Sequence, residues 1–160
     1  MTDVTIAETV VLPVDIEDAY DFLLTPKAFQ LFTGWGPIPG IRDLDWKIGS
    51  SAEEGSEARV HNTDGSSHRE RVTVATRPHR YEVAIDEFSS AFRFLTEGAT
   101  ETWDLSPTEK GTRIERAFVF RLRSAALLPL GWAIGAMFRK AVQANHAAMV
   151  EWANASDPEG

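Results

Sequence analysis

Apolar residues recur at helical spacing near the end of the chain and predict a long helix over residues 134–152. One face of this helix carries Ile134, Phe138, Ala141, Asn145, Met149 and Trp152. Asn145 is the only polar residue in the centre of that face, which suggests a cavity with a polar anchor. Because a buried amide without a hydrogen-bond partner costs about 1–3 kcal/mol, Asn145 is expected to bond a ligand, a water molecule or a strand carbonyl.

The chain before this helix alternates apolar and polar residues at the period of two that is typical of half-buried strands. The pattern predicts strands over residues 4–12, 41–48, 57–62, 68–76, 80–87, 92–105 and 112–122. Most of the connections between them are short and rich in turn-forming residues, which implies antiparallel neighbours. Gly98 lies inside a predicted strand and indicates a bulge or a sharp bend.

Two short helices are expected between the first two strands. Asp15 is a good N-cap for a helix over residues 16–24 because its carboxylate can accept the free N–H groups of the first turn. Thr25 and Pro26 end that helix, and residues 27–32 can form a second one.

A glycine- and proline-rich loop, residues 34–40, follows these helices. It is expected to be stiff and to place Trp35 against the core. The spacing of its glycines does not fit a dinucleotide fingerprint, and its two prolines lack the N–H groups of a phosphate cradle. A nucleotide-binding loop is therefore excluded.

The composition narrows the classes of partner. The chain has 160 residues, enough to bury its own core, and a formal net charge of −8 that would repel nucleic acid. It contains no cysteine, which excludes disulfides, thiolate nucleophiles and zinc–thiolate sites. Its four histidines do not form a metal-ligand spacing, so neither a metal nor a cofactor is expected. The first residues do not resemble a signal peptide, which favours a cytoplasmic protein.

The segment 125–138, AALLPLGWAIGAMF, contains no charged residue. It is shorter than the roughly 18–20 apolar residues that cross a bilayer, and Pro129 and Gly131 interrupt it, so an integral membrane segment is not expected. Two interpretations remain open. The segment is either a partly ordered lead-in to the last helix, packed on the sheet edge, or an apolar lip beside a cavity mouth that contacts a membrane or a partner protein.

Short motifs stand near the N-terminus, in the middle of the strand meander and in the penultimate hairpin. They are VLPVDIEDAY at 11–20, RERV at 69–72 with RPHRY at 77–81, and TWDLSP at 102–107 with GTRI at 111–114. With the order of the predicted elements, they resemble the START/Bet v1-like superfamily (SRPBCC) and, within it, the polyketide cyclase/dehydrase-like proteins. The resemblance covers nearly the whole chain.

The resemblance implies an α+β helix-grip fold, in which a curved antiparallel sheet of about six or seven strands wraps around the C-terminal helix and encloses an apolar cavity. It implies one ligand-binding domain over residues 1–155, and residues 156–160 are expected to be a disordered tail. Members of the superfamily bind lipids, sterols, hormones or polyketides, and some are cyclases. Fold alone does not choose among these activities.

Strand alternation brings polar candidates toward this cavity. Glu70 shares a face with Val72, and by the resemblance it stands where ligand-binding relatives carry a cavity glutamate; the alternative is a rim carboxylate paired with an arginine. Arg116 is expected to point inward with Phe118, where it could neutralise Glu70 or hold a ligand carboxylate. A shift of register by one residue would turn Glu115 inward instead.

The candidate ligand-binding residues are therefore Glu70, Arg116, Asn145, Trp103, Phe118, Phe138, Met149 and Trp35. No residue is assigned a catalytic role. The favoured function is binding of a small hydrophobic molecule of lipid, polyketide or isoprenoid type by a carrier or sensor, acting as a monomer or homodimer. The alternative is an enzyme of the polyketide cyclase or aromatase type that uses acid and base residues of the cavity.

Overall fold

The computed structural model describes residues 2–155. Its strands are β1 (Asp3–Leu12), β2 (Gly34–Trp35), β3 (Ile38–Pro39), β4 (Ile41–Ile48), β5 (Glu57–Asn62), β6 (Ser67–Thr76), β7 (Arg80–Asp86), β8 (Thr96–Thr108) and β9 (Gly111–Leu122). Its helices are α1 (Ile16–Leu23), α2 (Pro26–Gln30) and α3 (Leu128–Ala155), with 3₁₀ turns at Ala91–Phe94 and Ala125–Leu127. The tail expected over residues 156–160 lies outside the described residues.

Seven strands form one antiparallel sheet in the order β1-β9-β8-β7-β6-β5-β4, and β2 pairs with β3 in a small separate hairpin. The long helix α3 packs against β1 and against this hairpin. The predicted helix-grip architecture, with seven strands, two short helices and a long C-terminal helix, is therefore confirmed.

The register of β9 decides which polar side chain faces the core. The buried residues of this strand alternate, and they are Thr112, Ile114, Arg116, Phe118, Phe120 and Leu122. Arg116 therefore points inward, as expected, and Glu115 is exposed, with a hydrogen bond to Arg113 of the same strand.

Both short helices begin at a side-chain cap. Asp15 caps the first, as predicted, and Thr25, which was expected only to end the first helix, caps the second. The Asp15 carboxylate accepts a hydrogen bond from the backbone N–H of Asp18 at 3.0 Å. The Thr25 hydroxyl accepts one from Ala28 at 3.3 Å. Pro26 stands in the first turn of α2, where a missing N–H leaves no hydrogen bond unmade.

The strand predicted to begin at residue 92 begins at Thr96 instead. Residues Ala91–Phe94 form a 3₁₀ turn, capped by the Ser90 hydroxyl, which accepts a bond from the backbone N–H of Phe92 at 3.3 Å. The ring of Phe92 then packs edge-on against Phe88. The bulge predicted at Gly98 is present as a shift of register between Thr96 and Gly98.

The last helix begins at Leu128, well before the predicted start near residue 134, so a partly ordered lead-in was the wrong expectation. Pro129 lies in its first turn, where it is tolerated. A Cβ atom at Gly131 would come within 2.8 Å of Leu122 Cδ1 and 3.1 Å of Val4 Cγ2. The glycine therefore lets the start of α3 lie close to β1 and β9.

The segment Ala125–Ala155 is also long and apolar enough, by length and composition alone, to cross a membrane. In the fold, Ala141, Val142 and Met149 of α3 are buried in the core. Near its C-terminal end, Trp152 stacks on Phe22 of α1 with ring centroids 3.5 Å apart. These contacts are those of a core helix.

Candidate ligand-binding site

A cavity of about 650 Å³ lies between α3, the 3₁₀ turn Ala91–Phe94 and the inner face of the sheet. Its lining is mainly apolar and includes Phe88, Phe92, Phe118, Phe120, Ile134 and Phe138. The ring of Phe138 meets Phe118 and Phe120 edge-on, with centroids 4.7 and 5.2 Å apart. A concave apolar space of this volume is typical of a site for a small organic molecule.

The mouth of this cavity is marked by two exposed apolar side chains that also line it. Phe94 is 65% exposed and Leu130 is 51% exposed. Trp132, two residues beyond Leu130 on α3, is 58% exposed. The uncharged segment singled out in the sequence thus supplies part of the rim of the cavity, and its contact with a membrane or a partner protein stays a prediction.

A smaller space of about 50 Å³, here called the inner recess, adjoins the main cavity. The two share five lining residues, namely Phe32, Ile41, Glu70, Glu101 and Arg116. Trp103, Asn145 and Met149 line only the inner recess. Glu70, Glu101, Arg116 and Asn145 thus stand at the recess. A second set of polar residues lines the main cavity away from the recess, namely Asn62, Asp64, Ser66, Ser67, His68 and Ser90.

Three buried side chains from three elements form a hydrogen-bonded chain at the recess. Arg116 of β9 donates from Nε to Glu101 Oε1 of β8 at 2.9 Å and from Nη1 to Asn145 Oδ1 of α3 at 2.7 Å. Its Nη2 lies 2.9 Å from the same Glu101 oxygen. The ion-pair partner of Arg116 is thus Glu101, whereas the sequence had left Glu70 and a ligand carboxylate open as its partners.

Cross-strand geometry explains this partner. Trp103 lies directly opposite Arg116 in the β8–β9 ladder, and Glu101 is two residues away from Trp103 on the same face. Diagonal neighbours on one face of a sheet are within reach of long side chains. The arginine Cζ also lies 3.9 Å from the Trp103 ring centroid, so the ring supports the cation that Glu101 neutralises.

Burial acts in opposite directions on the two charged groups. It raises the pKa of the Glu101 carboxyl and lowers the pKa of the Arg116 guanidinium, because water no longer solvates either charge. The charge of each partner opposes these shifts. Arg116 therefore holds its position through Glu101, Trp103 and Asn145 together.

Asn145 is only 3% exposed, and its side-chain oxygen accepts a hydrogen bond from Arg116. Among the described residues, no group accepts a hydrogen bond from its Nδ2. The amide thus has a partner, as predicted, but only at its oxygen. That partner is the Arg116 side chain, whereas a ligand, a water molecule or a strand carbonyl was expected. The nitrogen is a donor held in place beside the recess.

Glu70 and His68 stand two residues apart on the inner face of β6, and both line the main cavity. His68 Nε2 lies 3.2 Å from Glu70 Oε1, and His68 Nδ1 lies 3.3 Å from the Asn62 amide nitrogen. Because the amide N–H only donates, Nδ1 is the acceptor and Nε2 carries the hydrogen that is donated to Glu70. Glu70 therefore lies in the cavity, with a histidine partner in place of the arginine of the rim alternative.

The structure brings seven of the eight candidate residues to the cavity or the recess: Glu70, Arg116, Asn145, Trp103, Phe118, Phe138 and Met149. The eighth, Trp35, is 43% exposed, so the expectation that it packs on the core is wrong. The residues around it form the β2–β3 hairpin, and of these Pro37, Ile38 and Pro39 line the cavity. Lys140 Nζ lies 5.3 Å from the Trp35 ring.

Three polar residues at the site or beside it are not among the eight candidates, namely Glu101, His68 and His146. Glu101 and His68 carried a usable signal, because alternation puts Glu101 on the face of Trp103 and His68 on the face of Glu70. His146 carried none, since its place on the flank of the helical stripe did not reveal that it is buried. Burial there depends on how deeply α3 sits in the fold.

Comparison with known proteins agrees with this geometry. Residues 3–151 match the model of the family described as polyketide cyclase / dehydrase and lipid transport. The structure of Ara h 8.0201 is similar, with a TM-score of 0.75 and 16% identity, and the match covers 97% of this chain and 100% of that one. No curated protein matches the sequence.

Two further solved structures show the same fold. Norcoclaurine synthase from Thalictrum flavum, in complex with dopamine and hydroxybenzaldehyde, has a TM-score of 0.67 and 13% identity over 98% of this chain and 89% of that one. Major latex-like protein 151 from Panax ginseng has a TM-score of 0.66 and 9% identity over 92% of this chain and 97% of that one. The chain thus belongs to the polyketide cyclase / dehydrase and lipid transport family and has the helix-grip fold of the Bet v1-like superfamily.

Proposed function

We propose that the protein binds an elongated, mostly apolar small molecule of lipid, polyketide or isoprenoid type and acts in the cytoplasm as its carrier or sensor. The observation that carries the proposal is the cavity of about 650 Å³ whose apolar walls end in a recess with buried polar groups. Apolar walls provide affinity, and a few fixed polar groups orient the ligand. The family description, which includes lipid transport, supports the same class of ligand.

Native mass spectrometry of the purified protein, with organic extraction of any bound molecule, tests this proposal first. We expect a defined adduct, or saturable binding of an apolar fluorescent probe by protein from which the adduct has been removed. Absence of both would show that the cavity does not bind apolar molecules in solution and would overturn the proposal.

Asn145→Leu tests the role of the recess. We expect affinity for the extracted compound, or for the probe if it has a polar end, to fall by about tenfold, because a fixed buried donor is lost. Asn154→Leu is the matched control, since Asn154 is an exposed amide on the same helix. Calorimetric titration measures the affinities, and circular dichroism checks the fold. Equal affinities of the two variants would remove Asn145 from the site.

A second candidate function, proton transfer in a cyclase-like enzyme, is favoured by the His68–Glu70 pair. A carboxylate hydrogen-bonded to histidine inside an apolar cavity can remove a proton from an enolisable ligand. We expect the protein in D₂O to accelerate deuterium exchange into an apolar β-diketone, and Glu70→Gln to abolish the acceleration. A wild-type rate equal to that of buffer would eliminate this function for such a substrate and leave ligand binding in place.

The mouth of the cavity also supports transient contact with an anionic membrane surface. Residues 117–150 contain four basic residues and no acidic one, although the chain as a whole has a net charge of −8. One of the four, Arg139, pairs with Glu8 of β1, and the other three are Arg121, Arg123 and Lys140. Arg123 donates from Nε to the carbonyl of Arg93, so two arginines meet beside exposed Phe94. Exposed apolar side chains next to cations suit the interface of an anionic bilayer. We therefore include loading or unloading at such a surface in the proposed function.

A further inference from the structure

We propose that the cavity selects ligands whose buried end is a neutral hydroxyl group, an alcohol or a phenol, over ligands that end in a carboxylate or an ammonium group. The inference deepens the proposed function and rests on it, since it concerns the ligand of the same cavity. It follows from which hydrogen-bonding atoms of the recess are already used and which are not.

The one arginine of the recess is already paired with a carboxylate and an amide. All three guanidinium nitrogens of Arg116 contact side-chain oxygens, two of them Glu101 Oε1 and the third Asn145 Oδ1. Its faces lie on rings, with Cζ 3.9 Å from the Trp103 centroid and 4.8 Å from the Phe118 centroid. A ligand carboxylate would have to break the buried ion pair before it could reach this cation, which would leave Glu101 uncompensated.

The recess offers an unused donor and an unused acceptor close to it. The donor is Asn145 Nδ2, which is buried and has no acceptor among the described residues. The acceptor is the second oxygen of Glu70, because the hydrogen bond of that carboxylate to His68 uses Oε1. Both residues line the recess, and Glu70 also lines the main cavity.

A hydroxyl group matches this pair of atoms, since it has one O–H donor and lone pairs that accept. It can donate to Glu70 and accept from Asn145. A carboxylate has acceptors only, so it would face Glu70 as a like charge. An ammonium group has donors only, so Asn145 Nδ2 would stay unpaired, and its charge would lie near Arg116.

The formal charges around the cavity agree with this choice. Its charged lining residues are Asp64, Glu70, Glu101 and Arg116, so acidic side chains outnumber basic ones. The excess disfavours an anionic end group at any depth. A cationic end group would gain attraction from Glu70 but would lose its own hydration in an apolar space.

The test is a set of calorimetric or probe-displacement titrations at pH 8 with decanol, decanoate and decylamine, which share one apolar chain. We expect decanol to bind at least about tenfold more tightly than either charged probe, as one well-placed buried hydrogen-bond pair permits. Glu70→Gln should narrow the gap between decanol and decanoate, because an amide does not repel the anion. Asn145→Leu should weaken the binding of decanol, and Asn154→Leu should leave the affinities for all three probes unchanged.

The outcomes distinguish a failure of the proposed selectivity from a failure of the proposed function. Decanoate or decylamine binding as tightly as decanol would overturn the selectivity and leave hydrophobic-ligand binding intact. Binding of none of the probes, together with a clean apo mass, would overturn the proposed function itself. A preference for decanol that neither Glu70→Gln nor Asn145→Leu alters would also refute the assignment, because the selectivity would then arise elsewhere.

Discussion

His146 is buried next to Asn145, and its Nε2 has no hydrogen-bond partner within the described part of the chain. Burial, with the nearby charge of Arg116, lowers the pKa of its imidazole to about 3. The unfolded chain has an ordinary histidine pKa of about 6.5. The unfolded state therefore binds a proton at a pH where the folded state does not.

This difference predicts a pH dependence of stability. Because the pKa of His146 is depressed in the folded state, its contribution to the free energy of unfolding is fully present above about pH 6.5. This contribution is lost as the pH falls toward 3, by up to about 1.4 kcal/mol per pH unit. His146→Gln cannot take up this proton. We expect the free energy of unfolding of the wild type to fall relative to that of His146→Gln between pH 6.5 and pH 4.5, as measured by urea denaturation.

Other titrating groups are common to both proteins and cancel in the comparison. A difference in unfolding free energy that stays constant with pH would contradict the neutral buried histidine. The fixed cost of burying a glutamine amide shifts the whole curve and does not change its slope.

At the scale of elements, the hairpin between β8 and β9 meets the end of β1 at Gly111. Its φ of 130° is one that L side chains rarely adopt, and a Cβ there would lie 2.0 Å from the carbonyl oxygen of Leu12. Gly65 offers a comparison, since its φ is 87° but no atom lies within 4 Å of its Cβ position.

We expect Gly65→Ala to cost about 1–2 kcal/mol, the price of a left-handed alanine, and Gly111→Ala to cost clearly more. The excess arises because the end of β1 must move away from β9 to make room. Urea denaturation of the two variants measures both values. Equal decreases in the free energy of unfolding would mean that the end of β1 can move away from the turn without destabilising the fold.

The boundaries of the helices and strands show which of them local sequence patterns predict correctly. The cap at Asp15 and the bulge at Gly98 were predicted correctly, because each depends on residues close together in the chain. The cap at Thr25 was not predicted. The start of α3 was not, since Pro129 and Gly131 read locally as helix breakers. Gly131 is part of the helix and packs closely against Val4 of β1 and Leu122 of β9. This packing joins residues far apart in the chain, so no local pattern reveals it.

For the whole molecule, the uneven charge and the exposed rim predict a preference for anionic vesicles. We expect cosedimentation with phosphatidylglycerol vesicles but not with phosphatidylcholine vesicles, and a decrease as salt rises. Trp132→Ser should weaken binding by roughly tenfold, since the exposed ring would otherwise enter the interface. Ile48→Ser is the control, because Ile48 is equally exposed but lies on β4 and does not line the cavity. Equal loss in both variants, or no binding at all, would refute a membrane-contacting mouth.

The sequence by itself determined the types and order of the elements and which residues of each strand share a face. These follow from periods of 2 and 3.6 residues, which belong to the chain locally. Only the tertiary structure decided that Arg116 pairs with Glu101, that His146 is buried, that Trp35 is exposed and that a cavity remains between α3 and the sheet. Each of these depends on the distance between residues far apart in the chain, which strand register and helix packing set and no local pattern encodes.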